Sequence, residues 1–398
     1  MVKIYIITGE TSGEQLAFSI LEKLNHQSIL LRNNETTIKG VWSNEFQKAL
    51  TFSNIDAQQA CSNDFLSIMG FSNVIRHFFK IKKERDKILK DILSFNPDII
   101  LTFDAPDFNY NILKKLKKTY QKNNIQKPMF YHFVAPTVWA WRPWRAKYWA
   151  KVLDHIFCLF PFEPAYFIKE GLQATFIGHP LVKEYHSSEF QHIKTSKFSD
   201  SKNAYDFAFL LGSRNKEIEF HLPFFKSLYK HIKKDPAHLN SKIVIPTFEK
   251  YLIILQQNFP DAIFETNLCE RRKALCNSKK AIVVSGTATL DCALSYTPMI
   301  VVYKTDRLSA WIAKKLVNLQ HFALPNILSA QKIIPELIQE KLTLENCVQA
   351  LKNIDMQDLN HFKSLEESLN HEINLDSFPE FFISKSKYLK FSGNGHTE

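Results

Sequence analysis

No stretch of this sequence offers the ~20 consecutive apolar residues that a membrane-spanning helix needs, so no segment is expected to cross a bilayer. Neither a Gly-x-Gly-x-x-Gly nor a Walker A string follows the first apolar segment, so neither dinucleotide nor ATP binding is signalled. The six cysteines (Cys61, Cys158, Cys269, Cys276, Cys292 and Cys347) are scattered without a metal-type Cys-x-x-Cys. In a reducing cytoplasm they read as small core residues. RRM- and KH-type signatures are missing, which counts against nucleic acid as a partner. No signal peptide is expected either, because Met1-Val2-Lys3 runs straight into the apolar segment Ile4 to Ile7.

What the chain does have is length, aromatics and positive charge. At 398 residues it is long enough for two domains, since one core rarely outgrows ~250 residues. A content of 45% hydrophobic and 23% charged residues is that of a globular protein rather than a disordered one. The 51 Lys and Arg against 40 Asp and Glu leave +11, which calls for nucleic acid, anionic lipid headgroups or a phosphorylated substrate. The 33 phenylalanines suggest apolar surface contacts beyond an ordinary core.

The chain is organised around Ile99 to Asn109. The apolar run Ile99 to Phe103 suits a fully buried parallel strand, and Pro106 bars it from continuing as a central one. Asp104 and Asp107 therefore follow the carboxyl end of a strand, where open α/β sheets bind ligands. Asp104 is poised there as a base, whereas Asp107 reads equally as a turn or cap residue.

Upstream, Lys3 to Ile7 reads as a strand, Thr8-Gly-Glu-Thr-Ser-Gly13 as a turn, and about Glu14 to Leu24 as a helix with Leu16, Ile20 and Leu24 on one stripe. Ser12 with Gln15 has the capping-box spacing. Such a turn offers free N–H groups to an anion or a hydroxyl-rich ligand. Between Phe65 and Lys83, apolar Phe65, Ile68, Met69, Phe71, Phe78 and Phe79 sit beside Arg76, Lys80, Lys82 and Lys83. This segment suits an anionic membrane surface or an acyl chain, and equally a core-facing helix with a basic edge. Farther on, Pro136 to Arg145 carries Trp139, Trp141, Arg142, Trp144 and Arg145, aromatics and cations suited to sugar rings, bases or lipid with phosphate, or else to a buried aromatic plug.

The second half repeats the grammar. Asp206 to Leu211, Ala281 to Val284 and Met299 to Tyr303 read as strands, with turns at Gly212-Ser-Arg214 and Ser285-Gly-Thr287. The alternation of strands and helices predicts an α/β protein of two doubly wound domains facing across a cleft. Their expected bounds are 1–185 and 204–365, joined by a Ser- and Lys-rich linker at 186–203, with helices near 366–390 packing back on the first domain. Arg214 and the Ser285-Gly286-Thr287 turn form a cationic cradle for a diphosphate. Asp291, one helical turn on, is placed either for a ribose diol or as a first-turn carboxylate favoured by the dipole.

In order from residue 8 to about 340, Thr8 to Gly13, Asp104-Ala-Pro-Asp-Phe-Asn109, Pro136-Thr-Val-Trp-Ala-Trp-Arg142, Phe162-Glu163, Gly178-His-Pro180, Gly212-Ser-Arg214 with Glu217, Ser285 to Leu290, Pro298-Met299 and Leu324-Pro-Asn326 resemble the lipid-A-disaccharide synthase family. The resemblance implies a GT-B glycosyltransferase that needs no metal or cofactor. It implies UDP-2,3-diacylglucosamine and 2,3-diacylglucosamine 1-phosphate as substrates, inversion at the anomeric carbon, and a peripheral place on the inner face of the cytoplasmic membrane. A homodimer is one option. On this reading Asp104 is the base. Arg214, Ser285, Gly286, Thr287, Asp291 and Asn326 take the UDP-sugar, and Ser12, Glu14, Met69, Asp107, Trp139 and Arg142 line the acceptor side. Phe71, Phe78, Phe79, Lys80, Lys82 and Lys83 meet the membrane.

The chain departs from the family pattern in four places. Glu14 replaces an Asp, Leu211 a Pro, Asp291 a Glu, and Gly40-Val-Trp-Ser lacks a second glycine pair. Altered sugar or acyl preference is therefore an alternative. Two other classes compete. A basic nucleic-acid binder predicts steep salt dependence on DNA or RNA, with no UDP effect. A non-enzymatic lipid-surface protein leaves Asp104 and Arg214 without purpose.

Overall fold

A computed structural model of the chain describes residues 2–27, 36–67, 74–196, 204–306, 321–354 and 359–370. Met69 and Phe71 lie outside these residues, as do the side chains of Phe78, Phe79 and Lys80. The chain divides into two compact units that meet in sequence at Gly178 and His179.

In the first unit, β1 (Val2–Thr8), β2 (Thr36–Val41), β3 (Ala57–Cys61), β4 (Ile99–Phe103), β5 (Met129–Phe133), β6 (His155–Cys158) and β7 (Gln173–Phe176) form one sheet in the order β3-β2-β1-β4-β5-β6-β7. Every pairing among its described strands is parallel. Parallel strands need crossover connections, which lay helices over both faces. That is why β4 is buried at all five positions and shows no polar alternation. Ile100 joins the core on one face, and Ile99, Leu101 and Phe103 join the core on the other. The phenylalanine excess is partly spent here. Phe103, Phe133 and Phe157 stack across three neighbouring strands with ring centroids 4.6 and 4.3 Å apart. Each such pair adds about 0.5–1.5 kcal/mol beyond its buried area, which firmly seats the strand that ends in Asp104.

The helix Val74–Phe95 buries Ile88, Leu89 and Ile92 against the same core, while Lys82 and Lys83 are exposed. Over its described side chains it is therefore core-facing with a basic edge. Among the described residues, no helix is long and apolar enough to cross a membrane. The cysteines are free thiols, four of them buried.

The second unit repeats the plan with β8 (Tyr205–Leu210), β9 (Ile243–Pro246), β10 (Ile263–Glu265), β11 (Ser278–Val284), β12 (Met299–Tyr303) and β13 (Glu336–Ile338), in the order β10-β9-β8-β11-β12-β13. Inward residues of β8, β11 and β12, among them Phe207, Ile282 and Ile300, share one core. The division after Gly178 differs from the expected 186–203 linker. The segment from Pro180 to Ser196 is helical and belongs to the second unit, where Tyr185 donates to Asp291 at 3.2 Å and buried Lys194 reaches Glu366 at 2.7 Å. The helix Leu359–Leu369 also belongs there, and residues beyond 370 lie outside the description.

Candidate active site

In the first sheet the winding reverses between β1 and β4, the point where open α/β sheets bind ligands. The two outgoing loops touch. Gly9 N–H donates to the Phe103 carbonyl at 3.1 Å. A Cβ on Gly9 would sit 2.5 Å from Ala105 Cβ, and one on Gly13 would sit 2.5 Å from Asp104 Oδ2. Glycine is therefore required where the Thr8-to-Gly13 loop passes over Asp104. The helix begins early, at Thr11. This puts Ser12 inside the first turn, and its hydroxyl donates to Asp104 Oδ2 at 3.2 Å instead of making the expected capping box.

Asp104 leaves the strand with φ +50°, followed by Ala105 at +40°. Each left-handed non-glycine residue costs about 1–2 kcal/mol, so something must hold them. Asp104 N–H donates to the Phe133 carbonyl at 3.2 Å, and buried Asn109 donates Nδ2–H to the Asp104 carbonyl at 2.7 Å. Pro106 then opens the helix Pro106–Lys122. Backbone strain of this kind gathers at functional sites. Burial pushes the Asp104 carboxyl up to about 6; the Ser12 hydrogen bond opposes that rise and the charge of Glu10 adds to it.

Other expected contacts are placed differently. Glu14 is buried and accepts from Ser43 N–H at 2.6 Å, Ser43 Oγ at 2.7 Å, Asn63 Nδ2 at 2.9 Å and Thr8 Oγ1 at 3.3 Å. A buried carboxylate needs such donors. These come from the last residue of β1 and from the loops after β2 and β3, so Glu14 is a brace and not an open substrate contact. Asp107 caps nothing; it is exposed and ion-paired to Arg145 at 2.5 Å. Trp139 donates its indole N–H to buried Glu163 at 2.9 Å. Glu163 also accepts from Leu159 and Phe160 N–H at 3.1 Å, and burial still raises its carboxyl to about 7. The tryptophan-rich loop is thus divided. Trp149 is buried and stacked on His132 at 4.5 Å, whereas Trp141 and Trp144 are exposed beside Arg142.

In the second unit the equivalent reversal lies between β8 and β11. A pocket of about 450 Å³ opens there and gathers Arg214, Ser285, Gly286, Thr287 and Asp291. Glu217 shapes the entry by accepting from Ser213 N–H at 2.8 Å and Arg214 N–H at 3.2 Å. The Arg214 side chain is 82% exposed and reaches Glu217 at 3.4 Å. Sequence reading missed Arg271, Arg272 and Phe248, which line the same pocket. The adjacent arginines of the helix Leu268–Cys276 were the available signal. Arg271 lies 4.4 Å over the Phe248 ring, and burial lowers its pKa. The helix after Thr287 spans seven residues. Its dipole is worth about 0.3–1 kcal/mol to an anion, against about 1.5–3 for each hydrogen bond to a charged group. The arginines therefore dominate the cradle.

Asp291 and Asn326 depart from expectation. Asp291 Oδ1 accepts from Tyr185 at 3.2 Å and from Arg272 Nε at 3.3 Å, and Arg272 also pairs with Glu184. Burial raises the Asp291 carboxyl, and Arg272 opposes the rise. It serves first to hold Arg272 at the pocket wall. Asn326 is fully buried outside the pocket. It donates to the Ile334 carbonyl and Glu336, and accepts from Ile333 and Ile334 N–H, all at 2.9 Å. Its amide staples a loop, so the expected sugar contact is replaced by a structural one. Among the described residues, no group of three or more His, Cys, Asp and Glu is placed to hold a metal ion.

Residues 4–376 match the lipid-A-disaccharide synthetase family. The lipid-A-disaccharide synthase of Rickettsia felis is 33% identical, over 94% of this chain and 90% of the relative. That of Rickettsia bellii is 33% identical, over 97% and 98%. Among solved structures, a UDP-N-acetylglucosamine 2-epimerase from Rickettsia bellii superposes with a TM-score of 0.59 at 14% identity, over 98% of each chain. The glycotransferase of kitacinnamycin superposes with a TM-score of 0.60 at 12% identity, over 96% of this chain and 99% of that one. At such identities these structures speak for the fold alone, which is GT-B. With that fold, and a family match over nearly its whole length, the chain belongs to the lipid-A-disaccharide synthetase family of glycosyltransferases.

Proposed function

We propose that this protein transfers 2,3-diacylglucosamine from its UDP derivative to the 6-hydroxyl of 2,3-diacylglucosamine 1-phosphate. The products are the β-1,6 disaccharide 1-phosphate and UDP. The observation that carries this reading is Asp104, a strained, half-buried carboxylate at the switch point whose pKa lies near 6. At pH 7 such a group is about nine-tenths ionised, yet it is a stronger base than an exposed aspartate.

Asp104 takes the proton of the acceptor hydroxyl as that oxygen forms a bond to the donor's anomeric carbon. The bond from that carbon to the diphosphate oxygen breaks on the opposite face, which inverts the centre. Negative charge then builds on UDP, and Arg214 and Arg271 in the second unit's pocket supply donors for it. Asp291 supports the site indirectly, through Arg272. Ser12 holds the Asp104 carboxylate in register.

The acyl chains of both substrates favour a bilayer by about 0.8 kcal/mol per CH₂. The protein therefore works as a peripheral protein at an anionic surface, the inner face of the cytoplasmic membrane, through the segment Phe65 to Lys83.

The test is incubation with the UDP-diacylglucosamine donor and the monophosphate acceptor. UDP should appear one for one with a β-linked disaccharide phosphate. An α-linked product would remove the inverting base. UDP release that ignores the acceptor would leave a hydrolase.

A further inference from the structure

A second pocket, of about 270 Å³, opens in the first unit between the start of the Pro106–Lys122 helix and the tryptophan-rich loop. Tyr110 and buried Trp149 lie in its wall with rings 5.3 Å apart, and Trp144 and Tyr148 are 54% and 49% exposed at its rim. Two arginines reach it in different states. Arg145 is neutralised by Asp107 at 2.5 Å. Arg142 lies 4.1 Å over the Trp141 ring, and among the described residues no carboxylate pairs with it. Arg142 also has φ +56°. An arginine held in the left-handed region, with a free charge, at the mouth of an aromatic pocket is strain placed where a ligand would use it.

The size and chemistry restrict the ligand. The volume lies at the lower limit of small-molecule pockets, enough for one sugar ring. Exposed aromatic rings suit the C–H faces of such a ring, and a guanidinium suits phosphate. With Asp107 cancelling Arg145, the site keeps one net positive charge. Asp107 also lies in the first turn of the Pro106–Lys122 helix, three residues beyond Asp104.

We propose that this pocket is the subsite for a hexosamine 1-phosphate, with Arg142 taking the phosphate and Trp144 and Tyr148 taking the ring. The proposal rests on the acceptor reading above and deepens it. Arg145 is the reserve donor, released when the incoming phosphate competes with Asp107.

Calorimetric titration tests it on the full chain, with glucosamine 1-phosphate, glucosamine and inorganic phosphate as probes. Glucosamine 1-phosphate should bind at least about tenfold more tightly than either of the others. Arg142→Ala should erase its advantage over glucosamine, and Trp144→Ala its advantage over phosphate. Asp107→Asn should tighten binding of both phosphorylated probes severalfold, because it removes the competing carboxylate; a structural role for Asp107 does not predict a gain. Equal binding of inorganic phosphate and glucosamine 1-phosphate, or an Arg142→Ala protein that still prefers the phosphorylated sugar, overturns the proposal. These readouts need no turnover. A wild-type protein that binds as described but releases no UDP refutes the reaction and leaves the subsite standing. UDP release with none of these binding differences does the reverse.

Discussion

Ser12 and Asp104 stand 92 residues apart and meet across the switch point of the first sheet, hydroxyl to carboxylate at 3.2 Å. The contact exists because β1 and β4 are neighbours and because Gly13 has no side chain to occupy the same space. It is also the hydrogen bond that restrains the upward shift of the Asp104 carboxyl.

Turnover should therefore rise with pH through about 6, as Asp104 loses its proton, and then level off. Asp104→Asn should lower turnover by ~10²–10⁴ with little effect on UDP affinity. Ser12→Ala removes a donor that favours the charged form, so its acid limb should move to higher pH. A pH–rate profile of the three proteins decides this. Full turnover in Asp104→Asn would move the base elsewhere, with Asp107 the next candidate.

UDP affinity should depend on the arginines of the second unit's pocket, exposed Arg214 and half-buried Arg271. Arg214→Ala and Arg271→Ala should each weaken UDP binding by ~1.5–3 kcal/mol, the scale of one hydrogen bond to a charged group. Chelator should have no effect on activity. Loss of activity in EDTA with recovery on Mg²⁺ would contradict this account of the leaving group.

Asn326→Ala should act on stability and not on binding. It deletes four hydrogen bonds made by a fully buried side chain. With about 0.5–1.5 kcal/mol per bond, and a larger penalty for partners left unpaired, a loss of ~2–4 kcal/mol is expected. A thermal melt should fall by several degrees while the UDP dissociation constant stays put. The opposite pattern would return Asn326 to the sugar site.

Phe71, Phe78 and Phe79 changed together to Ser should reduce binding to anionic vesicles and activity on long-chain acceptor, with UDP binding intact. Vesicle binding by the parent protein should fall with salt, each cation near the surface being worth ~1 kcal/mol. A core-facing role for these residues predicts a lowered melt of the whole fold instead. An unchanged melt with normal vesicle binding and activity defeats both readings.

Local pattern was enough for the buried central strands β1, β4, β8, β11 and β12 and for the turns that follow them, but not for strands nearer the sheet edges such as β2, β3, β9, β10 and β13. The run Ile99 to Phe103 is apolar at every position because both faces of β4 are covered, and Pro106 ends it at the residue that matters. Arg214 and Ser285 to Thr287 could be placed together for the same reason, since each follows a strand of a doubly wound sheet. Which polar groups are free to meet a ligand was decided by partners far away in sequence. Glu14 and Asp104 are both carboxylates in motif-like turns. Glu14 is taken up by Ser43, Asn63 and Thr8, and among the described residues Asp104 keeps a single hydroxyl donor. Asn326 looks like a loop residue until its four partners are counted, and Arg271 and Arg272 look like surface cations until the sheet brings their helix beside β11. The division at Gly178 follows the same physics. Residues 188–196 are polar enough to read as a linker, but Lys194 is buried against Glu366, and a buried charge goes where its counter-charge is.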